Sequence, residues 1–125
     1  MKLKIIFIIL FSFLITSCSS SKKVVTKTQK TTRVSLADKI IWTAVSYKGT
    51  PYKYGGTTEK GMDCSGLIFT SFKQRGVEIP RVSYVMATKG KEISLRKVKR
   101  GDLLFFKTSK TSKNINHVGL VTSLE

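Results

Sequence analysis

The sequence predicts an α+β domain in which helices come first and antiparallel strands last. Three observations carry this. Between Ser35 and Arg75 apolar residues recur at helical spacing. Near the end, Leu103-Leu104-Phe105-Phe106 is a continuous apolar run of the length of a buried strand, and His117 to Thr122 is β-branched and apolar. The length, 125 residues, holds one small domain.

The chain opens on segments outside that domain. Lys2 and Lys4 form a short positive region ahead of Ile5 to Ile15, an apolar run broken only by Ser12. The run falls short of the about 20 residues a spanning helix needs and has the length of a signal-peptide core. Ile15-Thr16-Ser17-Cys18 follows and resembles the lipobox of bacterial lipoproteins. That resemblance implies removal of residues 1–17 and acylation of the Cys18 thiol, which anchors the chain to a membrane. An ordinary cleaved signal peptide with an incidental cysteine is the alternative. Ser19 stands where an aspartate would signal inner-membrane retention in enteric bacteria. In a Gram-negative host this favours the outer membrane, facing the periplasm. Residues 18–34 hold five basic and no acidic residues, many Ser and Thr, and no apolar period. They read as a flexible basic tether of roughly 23 Å as a random coil.

The folded part, residues 35–125, is justified element by element. Ser35 and Asp38 have the spacing of a capping box. Leu36, Ile40, Val45 and Tyr47, with Ile41 and Ala44, suit an amphipathic helix ending at Gly49. Trp42 is assigned to the core. Residues 49–56 are a Gly- and Pro-punctuated loop. A second helix spans Cys64 to Arg75, with Leu67, Ile68 and Phe72 as its apolar face and Gly76 as its stop. Ser83 to Lys89 forms a short helix closed by Gly90. The two terminal apolar runs pair as antiparallel strands around the polar loop 107–113.

Charge and composition narrow the function. A net charge of +16 points first to nucleic acid. Export removes that reading: a basic domain outside the cytoplasm meets an anionic membrane surface or cell wall instead. Residues 35–125 keep 16 basic and 7 acidic residues, a net +9. One histidine and two cysteines cannot fill a typical zinc site without carboxylates, so no metal is expected. If Cys18 is acylated, Cys64 is the one remaining thiol and forms no intramolecular disulfide.

Asp63-Cys64-Ser65-Gly66 stands where a loop enters a helix. The positive end of the macrodipole and the free N–H groups there favour a thiolate, the nucleophilic form. His117, the single histidine, begins a strand, a rigid place from which to present an imidazole. Such a pair performs acyl transfer through an acyl-enzyme. On spacing alone, a small buried cysteine and a structural histidine are the stronger reading.

The motifs weight the choice. Tyr47-Lys48-Gly49-Thr50-Pro51-Tyr52-Lys53-Tyr54-Gly55-Gly56 resembles the opening motif of the NlpC/P60 family of cell-wall peptidases. Gly61-Met62-Asp63-Cys64-Ser65-Gly66-Leu67 resembles its nucleophile motif, and Ile79-Pro80-Arg81-Val82-Ser83 the segment after the nucleophile helix. Arg100 to Phe106 and Asn116 to Val121 resemble its last two motifs. The resemblance implies a papain-like fold, helices packed on an antiparallel sheet, and hydrolysis of peptide bonds in peptidoglycan stem peptides or cross-links. It implies no cofactor and a monomer. Cys64 is then the nucleophile and His117 the base. Tyr52 lines the site and helps stabilise the oxyanion beside the Cys64 N–H. Asp63, Ser65 and Ser83 match substrate-binding positions. Asp63 and Ser65 also suit a helix cap, and Ser83 the cap of the short helix that follows. Arg81 is read as a solvated turn residue outside the site.

The chain departs from the family pattern in one respect. Most members carry a third polar residue, which orients the catalytic imidazole, on the strand after the histidine. Glu125 lies eight residues past His117, and no residue takes that role. Asn114 and Asn116 precede His117 and do not fit it. The sheet is therefore expected to be incomplete, with an unpaired strand edge, and the activity impaired or replaced by wall binding.

Overall fold

The computed structural model describes residues 33–124. The expected signal peptide, the expected lipid-bearing Cys18 and nearly all of the expected tether lie outside the described residues. Among those described, no helix is long and apolar enough to cross a membrane.

Helix α1 spans Leu36–Ser46 and starts as its sequence predicts. The Ser35 hydroxyl accepts the Asp38 N–H at 3.1 Å and donates to the Asp38 carboxylate at 2.7 Å. The buried stripe is not the expected one. Ile40, Ile41, Thr43 and Ala44 are buried, whereas Leu36 and Val45 are half-exposed and Trp42 is 55% exposed. At 100° per residue Trp42 falls opposite the centre of that stripe. The domain covers the stripe and leaves the opposite face, with Trp42, to solvent.

The next element was not legible in the sequence. Two two-residue strands, β1 (Thr57–Thr58) and β2 (Gly61–Met62), form a small antiparallel hairpin. Strands this short show no alternation to read. Residues 51–53 run along its second strand: the Met62 N–H donates to the Pro51 carbonyl and the Lys53 N–H to the Met62 carbonyl, both at 3.0 Å. This bridge sets Tyr52 beside Met62, two residues before the thiol.

Helix α2 spans Cys64–Lys73. It ends two residues before the expected Arg75, and the chain turns away at Gly76, which has φ +74°. Its buried residues are Ser65, Gly66, Ile68 and Ser71. Three of these are small, which lets neighbours approach the helix from several sides: α1, β1 and the terminal sheet all pack on it. Ser71 is fully buried and returns its hydroxyl to the Leu67 carbonyl at 2.7 Å. Helix α3 is a single turn, Ser83–Met86, with Val82 at its N-cap and no side-chain cap. Ser83 is thus the first helical residue, not the cap.

The strands β3 (Leu103–Phe106) and β4 (His117–Leu120) pair antiparallel, with Phe106 opposite His117 and Leu103 opposite Leu120. Ile68 from α2, Met86 from α3 and Val118 from β4 form the buried core, and Phe69, Phe72, Ile79, Leu103, Phe105 and Leu120 close around it. Helices packed on an antiparallel pair give the expected α+β arrangement.

Candidate active site

Cys64 is the first residue of α2, and Asp63 is its N-cap. The Asp63 carboxylate is filled from within the protein. One oxygen accepts the Gly66 N–H at 2.6 Å and the other the Gly55 N–H at 2.7 Å. The first oxygen also lies 2.9 Å from Arg81 Nη2 and accepts the Ser65 hydroxyl at 3.4 Å. The same guanidinium donates to Ser65 Oγ at 2.8 Å and to the Gly56 carbonyl at 3.2 Å. Arg81 therefore ties the Gly55-Gly56 loop, the cap and the first turn of α2 into one cluster. Burial raises the Asp63 pKa, but the Arg81 hydrogen bond and the two backbone N–H groups outweigh it and hold the carboxyl below its usual range. Gly66 has no room for a side chain, since a Cβ there would fall on the Gly56 carbonyl oxygen.

Sequence reasoning left Arg81 outside the site, and the structure corrects this. The reason is distance along the chain: its partners lie 16 and 25 residues away. A signal was present nonetheless. A carboxylate at a helix cap in an apolar setting requires a cation or donors, and Pro80-Arg81 is the nearest downstream cation after a turn.

The expected site residues converge on cavities around the thiol. A cavity of about 420 Å³ is walled by Tyr52, Asp63, Cys64, Ser65, Arg81 and Ser83. Another, of about 260 Å³, is walled by Tyr47, Tyr52, Cys64, Leu67 and His117. Cys64, half-buried and unbonded to another cysteine, and Tyr52, 73% exposed, belong to both. An apolar cavity of about 380 Å³ beneath also has Cys64 and His117 in its wall. The imidazole sits at the start of β4, exposed, its ring centroid 6.0 Å from that of Phe106 at a 38° tilt. No side-chain hydrogen bond reaches it among the described residues. Asn116 is committed elsewhere: its amide accepts the Thr108 N–H at 2.9 Å and donates to the Thr108 and Ser112 hydroxyls, which closes the β3–β4 loop.

A thiol at a helix N-terminus, an imidazole on the opposing strand end and an open cleft on both sides can support attack on an amide carbonyl. Comparison with known proteins bears on the fold and the chemistry. The chain is 43% identical over 84 residues to the gamma-D-glutamyl-L-lysine dipeptidyl-peptidase of Bacillus subtilis (strain 168), covering 67% of this chain and 28% of that protein. It is 35% identical over 88 residues to the murein DD-endopeptidase MepS/murein LD-carboxypeptidase of Escherichia coli (strain K12), covering 70% of this chain and 45% of that one. The chain thus spans less than half the length of either curated relative. Among solved structures, an NlpC/P60 family protein from Bacillus cereus ATCC 10987 superposes with a TM-score of 0.65 at 33% identity, covering 70% of this chain and 28% of that one. The profile of the NlpC/P60 family matches residues 49–123, and the chain belongs to that family.

Proposed function

We propose that the protein is a lipid-anchored cysteine peptidase of the cell envelope that hydrolyses peptide bonds in peptidoglycan. One observation carries the reading: Cys64 at the start of α2 and His117 at the start of β4 wall the same cavities. The names of both curated relatives describe peptidases, one of them acting on murein.

In this reading the Cys64 thiolate attacks the scissile carbonyl carbon. The oxygen of the tetrahedral intermediate is stabilised by the Cys64 backbone N–H, which the helix itself leaves without a partner, and by the Tyr52 hydroxyl. The imidazolium of His117 passes its proton to the leaving amine, and a thioester forms. His117 then takes a proton from water, which attacks the thioester and releases the acid and the thiolate. Ser65, Ser83 and the edge of Asp63 facing the larger cavity bind the stem peptide on one flank. The positive charge of the domain aids encounter with the anionic wall. Cys18 carries the acyl anchor, residues 18–34 form the tether and, in a Gram-negative host, the protein faces the periplasm from the outer membrane.

The test is release of soluble peptides from purified sacculi, followed by chromatography. The full chain is expected to release them, and Cys64→Ala and His117→Ala are expected to release none. Unchanged release by Cys64→Ala would refute the nucleophile. Replacing Cys18 by Ala should move the protein from the membrane to the soluble fraction. A second reading, wall binding with little or no turnover, is favoured by the imidazole having no hydrogen-bond partner among the described residues. It predicts co-sedimentation with sacculi and no release by the unaltered chain.

A further inference from the structure

The segment from Lys89 to Arg100 takes no part in the site. It holds six basic residues and one acid, Glu92. All of it is exposed except Val98. At its middle the single 3-10 turn Leu95–Lys97 carries Leu95 at 82% exposure, and Ile93 is exposed nearby. A lone exposed leucine is ordinary. Ile93 lines a cavity with Phe72, Met86 and Phe105, whereas Leu95 stands exposed with Arg96, Lys97 and Lys99 just after it, an apolar tip with a cationic rim. That is the composition of a contact with the interface of an anionic bilayer. The other nearby acid, Asp102, accepts the Lys99 backbone N–H at 2.7 Å and so belongs to the base of the arm.

A second observation places the root of the arm. Its last residue, Arg100, pairs with Asp38 at 3.1 Å, and Gly101 packs so closely on Ala37 that a Cβ would collide with the Ala37 side chain. Ala37 and Asp38 form the first turn of α1, immediately after Arg33–Ser35, where the chain enters the domain. The root of the arm therefore lies against the residues where the chain enters the domain.

We propose that the Lys89–Lys99 arm docks on an anionic phospholipid surface. Leu95 enters the headgroup region, and Lys91, Arg96, Lys97 and Lys99 lie among the acidic headgroups. The direction of the tether rests on the lipid-anchor reading above; the composition of the arm does not. Docking would hold the domain in one orientation on the membrane in place of free swinging, and would weaken as ionic strength rises.

The experiment uses the full chain, extracted in detergent and added to vesicles with brominated acyl chains. Trp42 is the only tryptophan, so Trp42→Phe with Leu95→Trp leaves one indole, at position 95. The chain should float with phosphatidylcholine vesicles and with vesicles that also contain phosphatidylglycerol. The indole should lose its fluorescence only with the latter. Reversing Arg96, Lys97 and Lys99 to Glu should restore the emission with the melting temperature unchanged, and neutralising any one of them should weaken docking about fivefold. Undiminished emission from chain that floats with anionic vesicles overturns the arm and leaves the anchor standing. Chain that floats with neither vesicle overturns both. Quenching that survives the charge reversal, or retention on purified peptidoglycan through these residues without quenching, also overturns the proposal.

Discussion

Replacing Arg81 with alanine would strand Asp63, a carboxylate whose side chain is 9% exposed and whose charge the fold has been built to hold. Removing one partner of a fully buried pair costs about 3–5 kcal/mol. Here the Arg81 side chain is 29% exposed, so water can enter its place, and the Gly55 and Gly66 N–H groups remain on the carboxylate. The loss is then closer to that of a charged hydrogen bond, about 2 kcal/mol. For a domain of this size that lowers the melting temperature by roughly 8–16 °C. Arg81→Lys keeps the charge and loses the fork that reaches Ser65, Asp63 and Gly56 together, so it should fall between the two. The pH dependence supplies an independent check. The Asp63 pKa is depressed below 3.8 in the folded state, so the stabilisation from its charge is complete above that value and is lost as pH falls through the folded value. The gap between the native chain and Arg81→Ala should therefore be constant near neutrality and close in acid. Thermal unfolding by circular dichroism, repeated across pH, reads both effects. A variant that melts within a degree or two of the native chain at neutral pH, or a gap that widens in acid, would show that the cluster does not hold the cap.

Three further outcomes can be read in the same way. Gly66→Ala drives a Cβ onto the Gly56 carbonyl and should cost at least the upper end of the ~1–3 kcal/mol typical of overpacking; a fully folded variant of unchanged denaturant midpoint would contradict the close approach. Ile68→Ala, at a site 2% exposed, should cost about 2–5 kcal/mol, while Trp42→Ala, 55% exposed, should stay within about 0.5 kcal/mol; denaturant titration that ranks the two in reverse would overturn the assignment of the core. Ser35→Ala removes the side-chain cap of α1 and should lose about 1 kcal/mol. The first amides of α1 should exchange faster with solvent, and unaltered exchange there would count against the cap.

Local features of the fold were legible because their causes are local. The cap at Ser35 and the start of α2 at Cys64 rest on residues within a few positions of one another, and the β3–β4 pair joins two consecutive apolar runs across a single loop. The positions of Cys64 and His117 at element starts followed from the same signals. What escaped depended on contacts distant in sequence. The burial of α1 was misread at Trp42 because apolar character alone does not say which side of a helix has a partner. The β1–β2 hairpin is too short to show a period, and its pairing depends on the chain at residues 51–53 arriving alongside. Arg81 looked like an ordinary surface cation because Asp63, Ser65 and Gly56 are brought to it only by tertiary folding.

The way Asn116 closes the β3–β4 loop separates two demands on one stretch of chain. Its backbone N–H reaches the Phe106 carbonyl at 3.0 Å, and its amide holds Thr108 and Ser112, so the last residue before His117 is fastened directly to the end of β3. The register of the histidine is thereby set at the neck of the loop, not by the length of what lies beyond it. Residues 109–111 and 113–115 can be lengthened, shortened or recharged with little leverage on the imidazole. Changes there would alter what the rim of the cleft meets while His117 keeps its place.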